Sequence, residues 1–160
     1  MPKAKAKYHL KIPSQTDNLE IIREFVSNLA AKAGFNNDDV DKIELAVDEA
    51  CANVIKHAYN KKDDKEQLID IAIEIDYNKF VVIVTDKGKG FDISRIKEPN
   101  MTEYLAEMRV GGLGIFLMRS LMDEVNFNIQ PGGKNQVRMV KYFFSKNPDR
   151  AYLTEKAKNG

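Results

Sequence analysis

Two polar side chains four residues apart, Glu49 and Asn53, are the first candidates for chemistry in the sequence. On a helix this spacing places them on neighbouring turns, so they can serve one site together. A carboxylate can accept a proton from an attacking hydroxyl group, and an amide oxygen is a suitable ligand for Mg²⁺. The pair also fits a solvated helix flank. However, that flank carries Ala46, Ala50 and Ala52, whose small side chains would let another element or a ligand approach closely.

A second candidate is Asp86, which ends an apolar run and is followed by Lys-Gly-Lys-Gly at residues 87–90. An aspartate at the end of a buried strand is a fixed acceptor for an exocyclic amine. Gly88 and Gly90 beside it would let a flat ring reach the backbone. This combination suits an adenine pocket, and an ordinary turn rich in Asp and Gly is the alternative.

A third candidate is the run Gly111-Gly112-Leu113-Gly114, which directly precedes an apolar segment. Glycine backbone amides at a helix N-terminus, together with the helix dipole, form an anion site suited to phosphate. A flexible helix entry would look the same. The sequence has no GxxxxGKS or GxxxxGKT loop, no GxGxxG at either glycine cluster and no His-Arg-Asp catalytic loop, so an ATP site here would be of another kind.

The hydrophobic pattern predicts the elements that must hold these residues. Helical periodicity predicts helices from residue 19 to a stop at Gly34, from the cap cluster at 36–39 to about residue 59, and from 114 to about 122. Asp17 or Asn18 is the expected cap of the first helix. Alternating or continuous apolar runs predict strands at 8–12, 69–75, 80–85, 125–129 and 137–144. Residues 91–111 have no sustained period and suggest a lid.

Antiparallel hairpins combined with helices predict an α/β, or α+β, two-layer sandwich. We expect a mixed, mostly antiparallel sheet with helices on one face, because true strand-helix-strand alternation is missing. The 160 residues fit one domain, 1–160, with its core at about 8–144 and a polar tail at 145–160. Met118, Leu121 and Met122 have helical spacing and are expected in the core or on a partner surface.

Composition excludes several classes of function. The net charge of +1 gives no overall attraction to nucleic acid or to an anionic membrane, and no apolar run is long enough to span a bilayer. The single cysteine, Cys51, cannot form an intramolecular disulfide and is expected to be a packed thiol. A cytoplasmic protein is the expectation.

The order and spacing of the three motifs carry a resemblance to a known family. ELAVDEACANVIKHAY, VTDKGKGFD and GGLGIFLMRSLMDEV resemble the N, G1 and G2 boxes of the GHKL ATPase superfamily, which has the Bergerat ATP-binding fold. The chain most closely resembles anti-sigma factor serine kinases of the RsbW and SpoIIAB type. The resemblance extends over about residues 8–144, and three boxes in order are far more specific than any one alone.

The resemblance implies a role for each matching residue. The glutamate that matches Glu49 is the general base, the asparagine that matches Asn53 binds Mg²⁺, and the aspartate that matches Asp86 holds the adenine amino group of ATP. The matching glycines and their neighbours line the base and the phosphates, here Gly88, Gly90, Gly112, Leu113 and Gly114.

Two further positions bear on how closely the chain follows the family. Arg109 is the nearest candidate for an arginine that meets the terminal phosphate, and a solvated loop cation is its alternative. Related domains often have Gly-Thr in the final hairpin beside the adenine, whereas this chain has Lys134-Asn135-Gln136-Val137.

The resemblance implies an Mg-ATP-dependent protein serine kinase that binds a sigma factor and phosphorylates an anti-anti-sigma antagonist protein. It also implies a homodimer, and from the net charge of +1 we expect neither direct nucleic-acid binding nor membrane association. The competing function is a nucleotide-dependent module of the same fold that sequesters a partner without phosphorylating it. Glu49 favours the enzyme, because a site that only holds Mg-ATP does not need a proton acceptor there.

Overall fold

The computed structural model describes residues 5–58, 67–88, 112–130 and 133–144. Within these ranges a layer of helices packs on one face of a five-stranded sheet. In chain order the elements are β1 (Ala6–Pro13), a 3₁₀ turn (Thr16–Asn18), α1 (Leu19–Ala33), α2 (Asn37–Asn53), a π-helical turn (Val54–Ala58), β2 (Leu68–Ile75), β3 (Lys79–Asp86), α3 (Gly112–Leu121), β4 (Glu124–Asn128) and β5 (Asn135–Tyr142).

Local signals account for where the first two helices begin and end. The side chain of Asn36 accepts a hydrogen bond from the backbone N–H of Asp39 at 2.8 Å and caps α2. Gly34 ends α1 with a φ of 112°, a conformation that glycine adopts without strain. Asn18 stands at the N-cap position of α1, but its amide donates to the carbonyl of Pro13 at 2.8 Å. The expected side-chain cap of α1 is therefore not formed.

The strand order is β1-β2-β3-β5-β4, and all four pairings are antiparallel. After α3, β4 runs in the same direction as β3, and β5 turns back to lie between them. The predicted two-layer α/β sandwich is thus confirmed. Among the described strands no parallel pair occurs, because β5 separates the two strands that run alike; in this detail the sheet is antiparallel rather than mixed.

The face of the sheet toward the helices forms the core. Strand side chains alternate between faces, so every second residue of β2 is buried, and the register aligns these residues with buried ones on β3 and β5. Helix residues such as Ile22, Ile43 and Val47 complete the same cluster. The fully or nearly fully buried strand residues of this face are Ile69, Ile71, Ile73, Ile75, Phe80, Val82, Val84, Val137 and Met139.

The opposite face of the sheet is largely polar near its β1 edge. Lys7 lies 3.7 Å from Glu74, and His9 lies 3.3 Å from Asp70, in pairs that join β1 to β2. The middle of β3 is buried on this face as well, at Val81. The other residues of β3 on this face are only half-buried, so the prediction that the strand is covered on both faces holds at Val81 alone among them.

Candidate functional site

The end of α2 carries the first pair of candidate residues. Glu49 is half-buried, and Asn53, the last residue of α2, is only 8% exposed. Their flank is partly shielded from solvent, because α3 packs against α2 and the neighbouring Ala46 and Ala50 are buried. The backbone then continues as a π-helical turn, a departure from α-helix that is frequent at functional sites.

Gly114, in the first turn of α3, brings the glycine-rich run close to Glu49 and Asn53. A Cβ atom added at Gly114 would lie 2.8 Å from Oε2 of Glu49, and 3.4 Å and 3.6 Å from Nδ2 and Oδ1 of Asn53. Glycine therefore lets the backbone of α3 approach these two side chains without displacing the carboxylate of Glu49. Gly112 and Leu113 precede it within the bounds of α3.

A pocket that opens to solvent lies between the helices and the sheet, next to Asn53. Its described walls are mostly apolar, which suits a flat heteroaromatic ring. Asp86 is the only ionisable side chain among these lining residues. The walls are formed by Ala50, Val54, Val84, Met118, Phe127, Ile129 and Val137, with Asn53, Asp86, Asn135 and Gln136 as the polar members.

Hydrogen bonds hold Asp86 in one orientation at the end of β3. Its Oδ1 accepts the backbone N–H of Gly88 at 2.8 Å and the side-chain amide of Asn135 at 3.1 Å. The same amide nitrogen donates to the carbonyl of Gly88 at 2.7 Å. No hydrogen bond from the described residues reaches Oδ2, so this oxygen can accept one from a ligand.

The electrostatic state of Asp86 follows from two opposing effects. Burial raises the pKa of its carboxyl group, because the charged form loses hydration, and the hydrogen bonds from Asn135 and Gly88 act in the opposite direction. Asp86 is 7% exposed, so both effects act on a group that water scarcely reaches.

The residues present fit a nucleotide that arrives with a magnesium ion. The close approach of Gly114 leaves a cradle that a Cβ would fill, next to an amide oxygen and a carboxylate. Across the described ranges, no three His, Cys, Asp or Glu side chains are grouped so that they could hold a metal. Magnesium commonly uses one or two protein ligands together with substrate phosphates, and Asn53 can supply one of them.

Two of the sequence candidates, Gly90 and Arg109, lie outside the described residues, as does the segment 91–111 that was predicted to be a lid. Met118 is buried in the core as expected, but it also lines the pocket. Cys51 is fully buried, and burial raises the pKa of its thiol, in agreement with a packed cysteine.

Sequence reasoning missed Asn135 as part of the site. The residue starts β5 directly opposite Asp86 in the strand register and is 2% exposed. Its departure from the family's Gly-Thr was visible, but its role depends on β5 pairing with β3. That pairing joins residues 49 positions apart in the chain, and no local pattern predicts it.

The described helices include none that is long and apolar enough to cross a membrane. A solved structure of the RsbU and RsbW domains of a Mycobacterium tuberculosis protein superposes with a TM-score of 0.62 at 15% identity, covering 85% of this chain and 32% of that one. This chain thus spans about a third of that protein's chain. At this identity the likeness shows the fold alone.

Sequence comparisons show the family. The model of the histidine kinase-like ATPase domain matches residues 12–141. The serine-protein kinase RsbW of Staphylococcus aureus is 36% identical over 137 residues, which cover 83% of this chain and 84% of that protein. The serine-protein kinase RsbW of Bacillus subtilis is 34% identical over 145 residues, which cover 88% of each. On this evidence the chain belongs to the histidine kinase-like ATPase domain family, among the RsbW-type serine-protein kinases.

Proposed function

We propose that this chain uses Mg-ATP to phosphorylate an antagonist protein on serine, and that it binds and restrains a sigma factor when the antagonist does not occupy it. The names of its RsbW relatives support the serine kinase activity. The sigma factor, the anti-anti-sigma antagonist and a homodimeric state are proposed from the family resemblance. We also propose that residues 1–160 act as a single ATPase domain.

The observation that carries the proposal is the meeting of three motifs that lie far apart in the sequence. Gly114 lies so close to Glu49 and Asn53 that an added Cβ would meet both side chains, and the adjoining pocket is lined by Asn53 and Asp86. An adenine in the apolar pocket would present its amino group to Asp86, and the N-terminal amides of α3 would face its phosphates. The terminal phosphate would then lie near Glu49.

In the proposed transfer, the serine hydroxyl oxygen attacks the γ-phosphorus of ATP. The bond from that phosphorus to the β,γ-bridging oxygen breaks, and ADP leaves. Glu49 accepts the hydroxyl proton, so the products are phosphoserine and ADP. A magnesium ion on Asn53 would neutralise charge on the phosphates. Glu49 is half-buried, so its carboxylate would be held in place by its neighbours and would still be accessible to a serine.

Substitution of Glu49 by Gln tests this assignment. The general base contributes typically about 10²- to 10⁴-fold in rate, so transfer of radiolabelled phosphate to the antagonist should collapse by about that factor. ATP affinity, measured by calorimetry, should change little, because Asn53, Asp86 and the glycines remain.

Glu44→Gln on the same helix is the matched control and should transfer phosphate at the wild-type rate. Near wild-type transfer by Glu49→Gln would remove this residue from the mechanism. A wild-type protein that binds ATP and both partners but labels no serine would instead support a non-catalytic binding switch.

A further inference from the structure

Asn135 is the most constrained polar side chain beside the proposed base pocket. Its Nδ2 donates to Oδ1 of Asp86 at 3.1 Å and to the carbonyl of Gly88 at 2.7 Å, and its Oδ1 accepts the backbone N–H of Gln130 at 3.0 Å. Both amide hydrogens are therefore used. At 2% exposure the side chain has almost no access to water.

The orientation of this amide follows from its partners. Rotation of the Asn135 amide by half a turn would set its oxygen against the Asp86 carboxylate and the Gly88 carbonyl, both acceptors, and would set its nitrogen against the N–H of Gln130. Only one orientation satisfies all three partners. Asn135 therefore presents a fixed donor to Asp86.

This fixed donor determines what Asp86 can offer to a ligand. Asn135 and the N–H of Gly88 both bind Oδ1 of Asp86. Oδ2 receives no hydrogen bond from the described part of the chain and is the oxygen left for a base. A hydrogen bond to the ionised carboxylate also favours that form over the protonated one, which opposes the effect of burial on the pKa of Asp86.

We propose that Asn135 is a positioning residue that sets the base specificity of the pocket, by holding Asp86 as an oriented acceptor that takes a purine with a 6-amino group and rejects one with a 6-carbonyl group. The inference rests on the proposed ATP site and deepens it. A 6-carbonyl would meet the carboxylate acceptor to acceptor, which leaves both groups unpaired. A carboxyl that carries a proton could instead donate to that carbonyl, so specificity fails when Asp86 loses its donor.

The test compares ATP with inosine triphosphate, in which a carbonyl replaces the 6-amino group. Asn135→Asp keeps the shape of the side chain but sets a second carboxylate against Asp86, so the pair tends to hold a proton. Relative to wild type, we expect ATP affinity to fall at least about tenfold while the affinity for inosine triphosphate falls less or rises. The specificity ratio, which is the dissociation constant of inosine triphosphate divided by that of ATP, should therefore fall.

Two further variants make the result specific to the hydrogen bond. Asn135→Leu, which removes the donor without adding charge, should lower the same ratio, and Asn135→Thr, whose hydroxyl can still donate to Asp86, should restore part of it. Asn126→Asp, on the exposed part of β4, is the matched control and should leave the ratio at the wild-type value.

The outcomes separate this inference from the proposed function. If Asp86→Asn weakens ATP binding but every Asn135 variant that folds keeps the wild-type ratio, Asn135 has no role in specificity and the pocket assignment stands. Equal losses for both nucleotides would likewise make Asn135 structural only. If Asp86→Asn leaves ATP affinity unchanged, the base pocket itself is wrongly assigned.

Discussion

At the scale of single residues, ionisation of Asp86 should affect the stability of the ligand-free protein and its affinity for ATP in opposite directions. Its carboxyl group is buried with two hydrogen-bond donors on one oxygen, and burial raises its pKa. The folded protein therefore holds this proton more tightly than the unfolded chain does. Where Asp86 is ionised, it costs the fold free energy while providing the acceptor that the proposed adenine site needs.

The pH dependence of Asp86 should have opposite signs for stability and for binding. As pH rises from the ordinary aspartate pKa of about 3.9 through the raised value, this residue's contribution to the free energy of unfolding should fall, because the unfolded chain gives up the proton first. Over the same window ATP affinity should rise, because the ionised carboxylate is the better acceptor. Urea unfolding and calorimetry from pH 4 to 7 would measure both.

The Asp86→Asn variant is the reference for the pH dependence of stability and for that of ATP affinity. Asparagine keeps an acceptor for Gly88 and Asn135 but does not titrate, so the stability difference between variant and wild type should shift in favour of the variant as pH rises. Its ATP affinity should be lower at pH 7 by about 1 to 3 kcal/mol. Parallel pH curves for the two proteins would show that Asp86 does not titrate in this window.

At the scale of elements, α3 packs closely on α2 at Gly114, a residue that has no side chain. The backbone of Gly114 comes so close to Glu49 that an added Cβ would fall 2.8 Å from Oε2. That oxygen is the free end of a flexible chain, so it can move aside at little cost. What moves, however, is the proposed catalytic carboxylate.

Gly114→Ala should therefore separate stability from activity. Alanine favours the helix by about 1 kcal/mol over glycine, which offsets the crowding, so the free energy of unfolding should change by less than about 1 kcal/mol. Phosphate transfer should fall at least about tenfold because Glu49 is displaced. Urea unfolding and a transfer assay check the two parts.

Gly133→Ala is a suitable control for this change, since its added Cβ would lie 3.4 Å from the carbonyl oxygen of Gln130, its nearest contact among the described residues. It should retain wild-type transfer. Full activity in Gly114→Ala would mean that the position of Glu49 does not limit the reaction.

The elements themselves were largely predictable from the sequence, for reasons visible in particular residues. The alternation from Ile69 to Ile75 has a period of two, and the cap at Asn36 and the stop at Gly34 mark two helix boundaries. Glu49 and Asp86 could be proposed as site residues from the sequence because the motifs that contain them are local. The cap of α1 was not, because Asn18 bonds back to Pro13 instead.

At the scale of the whole molecule, Lys141 joins three elements across the two layers. It lies on the helix-facing side of β5, is 4% exposed, and donates to the carbonyl of Leu121, the last residue of α3, at 2.9 Å. Its Nζ also lies 4.0 Å from Oδ1 of Asp39 in the first turn of α2. The lysine thus serves as a C-terminal cap for α3 and a cation near an acidic helix start.

Lys141→Met should destabilise the protein by about 1 to 3 kcal/mol, because the carbonyl of Leu121 loses a charged donor while the methionine refills the space. Lys7→Met, at a side chain 74% exposed on β1, is the matched control and should cost less than about 1 kcal/mol. Urea unfolding of both variants gives the comparison. Equal effects would mean that the buried lysine contributes no more than a surface ion pair.

The placement of β5 between β3 and β4 was the part of the fold that sequence could not supply. The final hairpin was predicted, but a hairpin can add to a sheet by either strand, and the local pattern of β5 is the same in both cases. The choice depends on how its buried residues pack with β3 and the helices. Asn135 lies opposite Asp86 only because β5 pairs with β3. The contact between these two residues could therefore not be predicted from the sequence either.

Because β5 lies between β3 and β4, the sheet cannot be completed during synthesis before β5 is made. Until β5 has emerged from the ribosome, one edge of β3 is unpaired, and β4 has no partner among the described strands. The nascent chain must therefore carry open strand edges, the feature most prone to pairing with other chains, until β5 arrives. The proposed nucleotide pocket, which is lined by Asn135 and Val137 of that strand, is completed in the same late step.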